Sequence, residues 1–110
     1  MLGLSPLAAL CGEVEVVKAK ADCVARLCSF SATLKHGDAG WDHYANHWRI
    51  LSPDGKELGK RVLYHPHENE QPFTRSLGNI KVPANLEYVI IEGHDSVHGY
   101  GGPAFKVILN

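Results

Sequence analysis

The chain has 110 residues, 45% of them apolar and 21% charged, with 11 basic side chains against 12 acidic ones. That size supports one core and excludes two domains, while the apolar fraction and balanced charge exclude wholesale disorder. No basic stripe offers a nucleic acid an electrostatic footprint, and no apolar run approaches the ~20 residues that span a bilayer, so a soluble domain without a nucleic-acid partner is expected. The unusual feature is a set of seven histidines, where about two or three would be ordinary at this length.

Residues 1–12, MLGLSPLAALCG, are mostly small and apolar but lack a basic start. They read as a leader or signal-peptide remnant, which leaves 13–110 as a single domain. Cys11, after Leu7, Ala8, Ala9 and Leu10, has the outline of a lipoprotein cleavage site, with bulky Leu10 where a small residue is usual, and a plain disordered leader is the favoured expectation. The protein is accordingly expected to be exported, to the periplasm or the cell exterior. In such an oxidising compartment Cys23 and Cys28 could close a small ring across a hairpin; the alternative is two ordinary buried thiols.

Val14 to Lys20 and Leu27 to His36 are β-branched or alternating, with Cys28, Phe30, Ala32 and Leu34 on one face and Ser29, Ser31, Thr33 and Lys35 on the other. His43 to Leu51 runs into Ser52-Pro53-Asp54-Gly55, which has the residues of a tight turn, and Glu57 to Tyr64 returns. Phe73 to Leu77 and Asn79 to Val82 form one strand broken at Gly78, where a bulge or bend is expected. Leu86 to Gly93 and Ala104 to Leu109 complete the set. Nowhere do apolar residues keep helical spacing for three turns. About seven short strands in one domain predict an all-β, immunoglobulin-like antiparallel sandwich, with Trp48 between the sheets.

Antiparallel strands send successive connections to alternate ends. His36 to His47, His65 to Pro72 and His94 to Pro103 therefore fall at one end, and they contain all seven histidines: His36, His43, His47, His65, His67, His94 and His98. Loops gathered on a rigid scaffold are where sites are usually built. Three readings compete there. Converging neutral imidazoles suit iron, copper or zinc, with His43, His47, His65, His67 and His98 as preferred ligands and His36 and His94 in reserve; His65 and His67, spaced i and i+2, would share a face if extended. Alternatively the rim is a surface for a polar ligand or protein partner, with Trp41, Tyr44 and Tyr100 as stacking anchors and Glu70, Arg75 and Asp95 fixing orientation. The third reading is acid-base catalysis at Ser96 beside His94 and His98, or at Glu70 near Arg75, although no established catalytic motif is present.

The segments GWDHYA (Gly40 to Ala45), HPHENEQPFTRS (His65 to Ser76) and DSVHGYGG (Asp95 to Gly102) resemble a family of small, functionally uncharacterised, exported bacterial proteins, over roughly Leu27 to Leu109. That resemblance implies no activity. More distantly, the chain resembles the iron-binding immunoglobulin-like domain of superoxide reductases and desulfoferrodoxins, through His43, His47, Trp48 and Ile50 and through Ser96, Val97, His98, Gly99 and Tyr100. The iron-ligating cysteine of that domain has no counterpart, the nearest position being Asp95 or Ser96. The resemblance thus implies an iron, copper or zinc site used in metal handling or metal-dependent redox chemistry, the latter with an electron donor as partner; loss of the thiolate argues against superoxide reduction of that type.

Overall fold

Alternation sets the first sheet. In Leu27–Lys35 the residues Cys28, Phe30, Ala32 and Leu34 are buried while their neighbours face outward, the period-two pattern of a strand with one solvated face. A computed structural model gives the fold for residues 13–38 and 40–109. The expected leader, Cys11 included, lies outside the described residues. The strands are β1 (Glu15–Val24), β2 (Leu27–Lys35), β3 (Ala45–Leu51), β4 (Glu57–Val62), β5 (Phe73–Lys81), β6 (Tyr88–Asp95) and β7 (Phe105–Ile108). They form two antiparallel sheets, ordered β1-β2-β5 and β4-β3-β6-β7, the strand arrangement of an immunoglobulin-like sandwich. Trp48, Phe30, Phe73, Leu34, Ile50 and Ile91 fill the space between them and are fully buried.

The first strand runs four residues past its sequence-read end at Lys20, because its turn is not written in turn residues. Ala25 and Arg26 both take positive φ, 52° and 66°, the two left-handed positions of a two-residue hairpin turn that usually selects Asn or Gly. Contacts across the turn hold it there: the Val82 amide donates to Arg26 O at 2.9 Å, and Arg26 Nη2 donates to Ala84 O at 3.2 Å. Cys23 and Cys28 face each other in register and are disulfide-bonded. By chain entropy so small a ring contributes about 2 kcal/mol. Cys23→Ser is expected to lower the unfolding free energy by that amount in denaturant titrations; an unchanged midpoint would contradict it.

In β5, Leu77 pairs Phe30 and Ile80 pairs Cys28, so β5 carries one extra residue there, with Asn79 at φ 59°. This is the bulge expected beside Gly78. The third strand starts at Ala45 rather than His43, and the sixth runs on to Asp95. His43 is thereby left in a connection, and Asp95 becomes the inward-facing last residue of a strand. The β6–β7 connection is braced from below: a Cβ on Gly102 would stand 1.8 Å from the Val14 carbonyl oxygen, and the Val16 amide donates to Pro103 O at 3.0 Å. Glycine is therefore required at that crossing.

Candidate metal centre

The end of the sandwich carrying the β2–β3, β4–β5 and β6–β7 connections is organised around two buried carboxylates. The Asp95 side chain is fully buried, and three imidazoles surround it. His36 Nε2 lies 3.4 Å from its Oδ2, His43 Nε2 3.6 Å from its Oδ1 and His98 Nδ1 3.3 Å from its Oδ2. His43 stands between the other two rings, 4.8 Å from each by centroids. The donor atoms of His36, His43 and Asp95 all fall within 4.8 Å of one another, and this is the one such group of three or more among the described residues. His98 stands at the mouth, its side chain 39% exposed.

Local structure explains how Asp95 is held. The Val97 and His98 amides both donate to its Oδ1, and paired backbone bonds between Asp95 and Gly99 close the turn. Burial alone would raise its carboxyl, but those two amides, then the His36 and His98 imidazoles, outweigh burial and hold it below the usual carboxylate range.

The second carboxylate, Asp38, sits behind His36 and is also fully buried. His36 Nδ1 donates to Asp38 Oδ1 at 2.5 Å, which turns Nε2 toward Asp95. The Ala45 amide donates to the same oxygen at 3.1 Å, and the His67 amide donates to Oδ2 at 2.6 Å. Against a burial effect of opposite sign, the bonds from the His36 ring and from the His67 and Ala45 amides hold Asp38 below the usual range. A carboxylate behind a histidine, fixing its tautomer and its direction, is the usual outer support of a metal ligand.

The histidines do not converge on one point. His36, in reserve on the sequence, is the most buried histidine of the group, and Asp95, expected on the rim, is 0% exposed. A strand's alternation carries the Asp95 side chain inward, where it meets the imidazoles. Among the preferred ligands, His43 and His98 join this group. His47 and the reserve His94 do not: they pair across β3 and β6, stack at 4.2 Å on the sheet's outer face, and bond to Tyr100 Oη and Asn46 Oδ1 respectively. Tyr100 belongs to that face as well, under the Arg49 guanidinium at 3.7 Å. His65 and His67 form a third pair, 4.7 Å apart, with His67 stacked on Phe73 at 3.9 Å.

Of the remaining rim residues, Trp41 is 65% exposed and meets Tyr44 edge-on at 5.5 Å. Glu70 and Arg75 form a surface ion pair at 3.0 Å. Ser96, the candidate nucleophile, accepts the Tyr44 amide at 3.1 Å and donates to Asp42 O at 3.4 Å, so its hydroxyl ties the β2–β3 and β6–β7 connections together. Asp38 escaped the sequence reading, and its signal was there: a carboxylate two residues after a histidine, in the segment His36-Gly37-Asp38.

Burial, and then the charges of His94, Lys60 and Arg49, lower the His47 imidazole from 6.5 to about 4. Burial, then Arg75 and His65, lower His67; burial, then Lys60 and Arg49, lower His94 against the opposing pull of Asp95. A histidine whose folded-state pKa is depressed contributes stability that is whole above the unfolded value and is lost as pH falls through the folded one. For His47 that window runs from about pH 6.5 down to about 4. His47→Gln is expected to flatten the fall in melting temperature between pH 7 and pH 4.5, and an unchanged slope would contradict this.

Comparison with known proteins finds no matching family model and no matching solved structure. Over 82 residues the chain is 46% identical to a protein of Halomicrobium mukohataei named "Putative lipoprotein"; the match takes in 74% of this chain and 40% of that protein. The chain thus spans less than half the length of the curated relative it matches. Among the described residues, no helix is long and apolar enough to cross a membrane.

Proposed function

We propose that this domain is an exported metal-binding module that holds one divalent transition-metal ion through His36 Nε2, His43 Nε2 and Asp95, with His98 Nδ1 as the outer fourth ligand. One observation carries the reading. Ligand atoms ~2.0–2.1 Å from a tetrahedral ion stand about 3.3–3.4 Å from one another, and Asp95 Oδ2 stands 3.4 Å from His36 Nε2 and 3.3 Å from His98 Nδ1, while His43 Nε2 stands 3.6 Å from Oδ1. Three imidazoles and one carboxylate are the donor set of zinc, and copper(II) accepts the same donors. Where the desulfoferrodoxin resemblance would require a thiolate, this chain offers the hard oxygen of Asp95, which favours metal handling over superoxide reduction. The relative's name supports export.

The test uses tag-free protein purified without chelators. One tight equivalent of Zn(II) is expected, and acid should release it because protons compete with the ion for the imidazole nitrogens. Retention unchanged down to pH 4 would overturn the reading. A docking role for the rim draws on the exposure of Trp41 and Val97, 65% and 58%; it predicts a protein complex that forms equally well with chelator present.

A further inference from the structure

The apolar side chains that the rim turns outward play no part in the buried centre. Trp41 and Val97 are both exposed, and they sit on connections that are tied together: Ser96 Oγ donates to Asp42 O at 3.4 Å, which sets the residue after Trp41 against the residue before Val97. Pro103 and Ala104, further along the β6–β7 connection, are exposed as well. We infer that this rim is a membrane-docking surface, which settles into the interfacial layer of a lipid bilayer together with the apolar segment 1–12.

The place where the chain enters the fold points to that occupant. Glu15 pairs Lys35, the last residue of β2, so β1 starts at the rim end of the sandwich. A Cβ on Gly101 would stand 1.8 Å from Glu13 Oε2, so Glu13 lies directly against the β6–β7 connection. The segment before it, MLGLSPLAALCG, has four leucines and no charged side chain. Three residues of chain extend at most about 11 Å, which keeps Leu10 within reach of the rim. An apolar tail and an apolar rim joined at one point act as two signals for one surface, because binding of the first makes binding of the second intramolecular.

The residue types on the rim suit lipid. Trp and Tyr rest at a membrane–water interface, the ring in the acyl boundary and the polar atom among the headgroups. Trp41 is met edge-on by Tyr44, and Tyr64, on the β4–β5 connection, is exposed. The charges beside Trp41 are acidic: Asp42 and Glu68 are both exposed. Attraction to this surface is therefore apolar rather than electrostatic, and neutral headgroups suit it better than anionic ones. At the far end the β1–β2 turn also exposes Val24 and Leu27. That turn, Val24-Ala25-Arg26-Leu27, has a cation and no aromatic ring, and the apolar segment joins the fold at the other end.

This inference goes beyond the proposed function and does not depend on it. The chain has two tryptophans; Trp48 is fully buried between the sheets and Trp41 is exposed, so a quencher carried by lipid reports on the rim alone. The probe is phosphatidylcholine vesicles with bromine in the upper acyl chain, added to full-length protein. The protein is expected to float with the vesicles, with Trp41 emission shifted to the blue and quenched. Trp41→Ala combined with Val97→Asp, at exposed positions, should lower the partition coefficient at least about tenfold at an unchanged melting temperature. Leu7→Asp combined with Leu10→Asp should weaken it too, whereas Leu27→Asp, at the far end, should leave it unchanged. Flotation with Trp41 unquenched would mean that the segment 1–12 inserts without the rim, and would overturn the inference. So would a wild-type protein that stays with the aqueous phase, or one whose partition falls with Leu27→Asp and not with the Trp41 and Val97 substitutions.

Discussion

Asp95→Asn is expected to weaken zinc binding by more than about 100-fold while the domain stays folded. The amide that replaces the carboxylate keeps an oxygen for the Val97 and His98 amides that Asp95 now accepts, so the turn is preserved. What is lost is the negative charge between the three imidazoles, and an NH2 group enters where the ion would bind. Removing an outer support of a metal ligand costs about 10- to 100-fold in affinity, and removing a ligand itself costs more. Competition against a chelator of known affinity measures the change. An affinity within about threefold of wild type would mean that the ion, if bound, sits elsewhere.

Asp38→Ala is expected to be the most damaging single substitution at this end of the sandwich. Its buried carboxylate accepts the His36 ring and the Ala45 and His67 amides, and truncation strands all three donors. Each buried donor left unsatisfied costs about 1–3 kcal/mol, so with three of them stranded a loss of about 3–5 kcal/mol is a restrained expectation. Urea unfolding of the metal-free protein reads it directly. Metal affinity should fall as well, by about 10- to 100-fold, because His36 loses the group that fixes its tautomer. A stability loss below about 1 kcal/mol would show that Asp38 is not the support described.

Strand by strand, the fold was legible where alternation ran without interruption. Cys28, Phe30, Ala32 and Leu34 on one face of β2 and Trp48 between the sheets follow directly from period two. The Ala25-Arg26 turn was not legible, because its left-handed backbone is imposed by contacts with Val82 and Ala84 rather than by the residues themselves. The site was legible as an end of the molecule but not as a ligand set. Topology alone brings seven histidines to one rim; which of them meet depends on strand ends and side-chain direction. Moving the start of β3 from His43 to Ala45 frees His43 to turn inward, and extending β6 to Asp95 points that carboxylate into the interior. His94, one residue earlier, goes to the opposite face with His47, as a strand's alternation requires.

His36 and His43 are expected to bind the ion through Nε2, beside Asp95. Nitrogen-15 labelling of the histidines, with ring resonances recorded before and after one equivalent of Zn(II), tests it most directly. Nε2 of His36 and of His43 and Nδ1 of His98 are expected to shift together, while His36 Nδ1 keeps its proton on Asp38 and His47 and His94 stay in place. Shifts confined to His47 and His94, with His36 unmoved, would contradict it.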